Sequence, residues 1–247
     1  MSNLMMAELF KLKKDRVFLV LVVILAAAGI TYPFLVFFDE ATFNAQAVAV
    51  KELYTFSALA GNNYIIRLIP CILAGFFISS EYSIGTMKSI CASGNSRVHL
   101  YLVKLLVFSL GAIIIALAFP LALLFSSSLL SGFYGMPTFI YVAKTLGLTI
   151  LYAAAFASMM AVVAIIFTDS GKTIGFSIIF FILIDSILYM LSQEFTLFEW
   201  LFNHSVFKLF LDISKESYTS SMLIVPLMTF ALFAVIGSII FKQKEIK

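Results

Sequence analysis

The sequence predicts an all-α, polytopic membrane protein with six transmembrane helices. It adds an N-terminal interfacial helix, a short cytoplasmic loop helix, and outer re-entrant helices between spans five and six. Three observations predict this: an apolar composition, six long runs nearly free of charge, and a one-sided distribution of Lys and Arg.

Composition sets the solvent. Apolar residues make up 62% of the 247-residue chain and charged residues 12%, against ~45–50% and ~25% in ordinary soluble domains. Mean hydropathy is +1.09. A soluble fold of this size cannot hide that much apolar surface, so lipid solvates most of it. Disorder, collagen-like repeats and a secreted disulfide scaffold are excluded by the same composition. The net charge of +3 gives no reason to expect nucleic acid as a partner. Cys71 and Cys91 belong to no metal-type cluster and read as two small buried hydrophobes.

A helix crossing ~30 Å of hydrocarbon needs ~20 apolar residues. The predicted spans are 17–38, 64–80, 105–125, 145–167, 174–191 and 222–241, all within one transmembrane domain that covers 1–247. The second carries Arg67 near its start and the fifth contains Asp185; the others are uncharged. The first is too long for a signal-peptide core, and the Ala45–Ala47 small-residue pattern lies beyond its end, so it is expected to be retained.

Loop charge orients the spans. With the N-terminus in the cytoplasm, the inner side holds Lys11, Lys13, Lys14, Arg16, Lys88, Arg97, Lys104, Lys172, Lys242, Lys244 and Lys247. The outer side holds Lys51, Arg67, Lys144, Lys208 and Lys215, together with most of the acids. Both termini are therefore expected inside.

Three segments are not spans. Residues 3–16 form a basic amphipathic helix, with Met5, Met6, Leu9, Phe10 and Leu12 on one arc and Glu8, Lys11, Lys14 and Asp15 opposite. Such a helix lies in the membrane interface. In the 79–104 loop, Ile84, Met87, Ile90 and Cys91 share one helical side, Glu81 sits in the first turn, and Ser93-Gly94-Asn95 stops the helix. Such a short helix is marginal alone and must dock on a partner or on the protein's own span ends. Residues 192–220 are apolar but interrupted by Glu199, Asn203, His204 and Lys208. They read as two short helices broken near Asn203-His204-Ser205, with Trp200 and the phenylalanines at headgroup level.

Catalytic signatures are missing. Gly171-Lys172-Thr173 resembles the end of a phosphate loop, but Ile166 holds the first glycine position and a span precedes it. His99 and His204 fall on opposite sides of the membrane, and no serine-nucleophile motif occurs. Asp185 is costly inside lipid and must face protein, either as a pathway or gating group or as a packing residue. Arg67 is placed about a turn below the outer surface, where it snorkels outward or else pairs with an acid of an outer segment. Ala153, Ala157 and Ala161 form a small-residue stripe suited to close helix packing, within the chain or between copies.

The run Phe77-x-x-x-Glu81-Tyr82-x-x-Gly85-Thr86-x-Lys88, then Ser96-Arg97 and Lys104, resembles the membrane subunits of ABC-2 type exporters. Family members have an N-terminal interfacial helix, six spans and outer helices between the last two. One departure is Gly94-Asn95 where the family often has Pro. The resemblance implies a permease with no catalytic site of its own, with ATP and Mg held by a separate ABC ATP-binding subunit. It implies a second permease chain, identical or related, in a bacterial plasma membrane. Glu81, Tyr82, Ile84, Gly85, Thr86, Met87, Lys88 and Arg97 would couple the ATPase to the spans, with Asp185 and Arg67 as possible pathway or gating groups. Layout is closest to permeases for lantibiotic immunity and bacitracin resistance, which implies outward movement of membrane-active peptides. The competing expectation is a stand-alone ion-coupled carrier or membrane enzyme centred on Asp185.

Overall fold

The structure, a computed structural model, describes residues 2–39, 49–92, 94, 96–215 and 219–244. Ala45–Ala47, Ser93, Asn95 and Lys247 lie outside them. The described residues contain no strand. Among the described residues, six helices are long and apolar enough to cross a membrane.

Helix α1 (Ser2–Lys14) turns at Asp15 into α2 (Arg16–Asp39), the first span. The Asp15 carboxylate accepts from the Val17 and Phe18 amides at 2.8 and 3.1 Å, satisfying donors that every helix start leaves open. Span two is α3 (Val50–Ser83). After a turn come α4 (Thr86–Ala92), then spans three to five: α5 (Arg97–Leu130), α6 (Phe139–Phe167) and α7 (Ser170–Glu194). Two short helices follow, α8 (Thr196–Asn203) and α9 (Val206–Leu211), before the last span, α10 (Ser221–Gln243).

Several spans are longer than predicted. Span two was expected at 64–80, because Thr55, Ser57, Asn62 and Asn63 depress the hydropathy of the preceding turns. One side of those turns is buried instead: Tyr54 and Asn62 are fully enclosed, and the Tyr54 hydroxyl meets Thr145 Oγ1 at 2.8 Å. Span three extends past 125 because Ser126, Ser127 and Ser128 donate to carbonyls one turn back in their own helix. Helices α3, α5 and α6 form the buried centre, and α2, α7 and α10 show most of their apolar surface. In lipid that distribution costs nothing.

Close packing of α2 on α5 depends on Gly29. A Cβ there would lie 2.6 Å from the Phe119 carbonyl oxygen and 2.8 Å from the Ala122 methyl. The approach lets Ser126 Oγ donate to the Gly29 carbonyl at 3.0 Å. Gly29→Val is expected to destabilise the protein by about 1–3 kcal/mol, read as a lower thermal midpoint in detergent. Gly147→Val, at a position with nothing within 4 Å, is expected to leave the midpoint unchanged.

Candidate functional site

The N-terminal helix, the 80–97 loop and the C-terminal tail converge at one end of the bundle. At this end α3 widens into a π-helical turn over Gly75–Ser79. Such turns misalign the backbone ladder and leave carbonyls for other donors. Ser170 Oγ takes the Gly75 carbonyl at 2.8 Å and Lys11 Nζ takes the Phe77 carbonyl at 2.8 Å. Ser79 Oγ reaches Thr173 at 2.8 Å and the Ala164 carbonyl at 3.0 Å. The turn thus fastens α1, α6 and α7 to the base of span two.

Directly below lies a buried charge cluster. Lys104 of α5, 3% exposed at its side chain, is 2.5 Å from Glu8 and 2.6 Å from Glu81. Lys11 pairs with the same Glu81 and sits 4.2 Å from the Phe77 ring centre. Two acids and two lysines balance, so burial leaves no net charge without a partner. The sequence reading placed Glu8 on the solvated arc of α1 and Glu81 in the first turn of the loop helix. Glu8 instead faces the bundle, drawn there by Lys104, and Glu81 ends span two. Glu81 is 5% exposed and positions the loop from inside.

The loop helix also starts later than expected. Gly85 adopts φ +81°, a conformation that L side chains resist. This breaks the predicted face in two. Met87 is buried, with Ile90 and Cys91 packed beside it, but Ile84 points away and is 73% exposed. Gly85, Thr86 and Lys88 are exposed with it. The Thr86 hydroxyl donates to the Glu81 carbonyl at 3.3 Å, tying this free edge to the charge cluster.

Arg97 does not join that edge. Its guanidinium donates to the Lys244 and Lys242 carbonyls at 2.7 and 3.3 Å, closing the end of α10. Lys244 in turn donates to the Ile165 and Ile166 carbonyls at the end of α6 and lies 5.5 Å over the Tyr82 ring. Burial pushes its ammonium below the usual lysine range. Tyr82 is therefore gripped by the tail. Glu8, Lys11 and Lys244 read from the sequence only as helix-face or tail charges, and Lys104 as the end of the loop run, with nothing to show that Glu8, Lys11 and Lys104 meet. The available signal was the spacing of Arg97, Tyr101 and Lys104 along one face of α5.

Arg67 and Asp185 meet in mid-membrane. Arg67 lies near the middle of α3, since that helix begins at Val50, and is 3% exposed. It does not snorkel. Nη1 pairs with Asp185 and Nη2 donates to the Phe207 carbonyl of α9 at 3.2 Å, with the Phe156 and Phe207 rings each 5.4 Å away. A buried arginine needs such partners, and Asp185 supplies the charge. Asp185 Oδ1 has no hydrogen-bond partner among the described residues. Helices α8 and α9 break at His204 as predicted, and Ser205 caps α9 by accepting from the Lys208 amide at 3.2 Å. However, Phe207 and Phe210 insert among Tyr152, Phe156 and Phe181 rather than lying at headgroup level, while Trp200 stays exposed.

Comparison with protein families brings a match over residues 4–186 to the family described as ABC-2 family transporter protein. The chain belongs to the ABC-2 family. It is a multi-pass membrane permease of an ABC transporter, a transport component whose family works with an ATP-binding partner. The ABC-2 match takes in α1, the charge cluster, the loop edge, Arg67 and Asp185; α8, α9 and α10 follow it. No curated protein matches the chain.

Lys104 is the group on which the cluster's balance depends. Lys104→Met leaves the buried Glu8 carboxylate without a cation and Glu81 with Lys11 alone, and is expected to cost about 3–5 kcal/mol of stability. Adding Glu8→Gln and Glu81→Gln is expected to recover most of it. Thermal midpoints of the two variants in detergent check this.

Proposed function

We propose that this chain is the permease half of an ATP-driven exporter and that Ile84, Gly85, Thr86 and Lys88 are the edge on which the ATP-binding subunit docks. The observation that carries the reading is the split loop. One side of it is locked into the bundle through Met87 and Glu81, and the other is an exposed apolar and basic edge. A docking element needs both a rigid hold on the spans and a free side. Glu81, Tyr82, Met87 and Arg97 act behind the edge as positioning residues. Closure of two ATPases would push two such edges, one from each permease of a symmetric pair, identical or related.

This reading puts the loop end and both termini in the cytoplasm of a bacterial cell, as the lysine distribution favours. ATP and Mg belong to the partner, and this chain carries no cofactor. Membrane-active peptides of the lantibiotic or bacitracin kind suit the substrate side. An apolar groove of about 810 Å³ between α6, α7, α8, α9 and α10, lined by Met159, Leu188, Leu201, Phe207, Met228 and Leu232, matches the greasy half of such a molecule. Its Phe207 wall is the residue whose carbonyl holds Arg67. The Arg67–Asp185 pair would then report on the groove, as a gate.

Ile84→Asp with Lys88→Glu is expected to reduce co-purification of the ATP-binding subunit at least tenfold while membrane insertion stays normal. Unchanged recovery of the ATPase would contradict the docking edge. In the same assay Asp185→Asn is expected to leave docking intact. Activity driven by a proton or sodium gradient with no ATPase present would favour the stand-alone carrier.

A further inference from the structure

Helix α1 has two apolar strips, and the charge divides between them. Met5, Leu9 and Leu12 pack on the bundle, and both acids of the segment are occupied on that side, Glu8 by Lys104 and Asp15 by the start of α2. The opposite side carries Met6 and Phe10, 60% and 64% exposed, followed by exposed Lys13 and Lys14. Lys14 lies 5.9 Å from the Phe10 ring centre. That outward face is apolar at its core and purely basic at its edge, with no acid on it.

We propose that the outward face of α1 binds anionic phospholipid, and that its hold on the leaflet is transmitted to the Ile84–Lys88 edge through Lys11–Glu81 and Glu8–Lys104. Charge complementarity selects the occupant. Two aromatic or thioether side chains reach the acyl boundary, and two ammonium groups meet phosphate at headgroup height. Transmission follows from the joints: the inner strip of the same helix holds the two acids and two lysines that fix the base of span two. A change in the depth or tilt of α1 moves Glu81, and with it the carbonyl that accepts from Thr86. The proposal needs α1 at a membrane surface. It does not need the ATPase docking described above, and its test omits the ATPase.

A photoreactive residue in place of Phe10, in the full chain in nanodiscs of equal parts phosphatidylcholine and phosphatidylglycerol, reads the contact directly. Adducts with phosphatidylglycerol are expected to exceed those with phosphatidylcholine by about fivefold for each lysine in contact. Lys13→Gln with Lys14→Gln is expected to bring the ratio near one, and Lys172→Gln, elsewhere at the same end, to leave it unchanged. A spin label at position 84 is expected to change mobility between pure phosphatidylcholine and the mixture in the parent chain and not in the double variant. A ratio of one in the parent, an excess that survives the double variant, or adducts with a second copy of the chain would overturn the lipid contact. An unchanged label at 84 would overturn the transmission.

Discussion

The Lys104 ammonium, sealed between Glu8 and Glu81, is the interaction on which the arrangement of this end of the molecule depends. Three segments far apart in sequence must meet for that charge to be neutralised: the N-terminal helix, the base of span two and the first turns of span three. A lysine so enclosed is intolerable without its acids, and the acids without it. The cluster therefore fixes where α1 lies and where span two ends. It also fixes where the loop must turn at Gly85. The exposed edge beyond Gly85 inherits its rigidity from this point.

The same logic recurs in mid-membrane. Arg67 cannot stay buried alone, so spans two and five and the short helix α9 are brought together around it, with Phe156 and Phe207 shielding the guanidinium. Between the two clusters run apolar helices that lipid alone would leave loosely associated. Close contacts at Gly29 and the hydroxyl bonds of Ser79 and Ser126 fasten these helices at further points along their length. Polar groups thus specify this fold, and the apolar residues make it a membrane protein.

The sequence was most legible where local chemistry decides. Six spans follow from hydropathy, and the break between α8 and α9 follows from Asn203-His204-Ser205. The loop motif pointed to the family that the comparison then showed. It was least legible where distant charges meet. Nothing near Glu8 announces Lys104, and Arg67 looked shallow only because Asn62, Asn63 and Ser57 hide the earlier turns of its helix. Helical periodicity also treated 81–91 as continuous, whereas the left-handed Gly85 divides it and sends Ile84 outward. That division gives the loop its free side.

The central claim is that the Ile84 edge faces the cytoplasm and is covered by a separate ATPase. Labelling of Ile84→Cys with a membrane-impermeant maleimide tests it most directly, in a chain whose partly exposed Cys91 is changed to Ser and whose Cys71 stays buried. The account predicts no reaction in intact cells, weak reaction in inside-out vesicles, and strong reaction there once the ATPase has been stripped. Labelling from outside intact cells, or equal labelling with and without the ATPase, would contradict it.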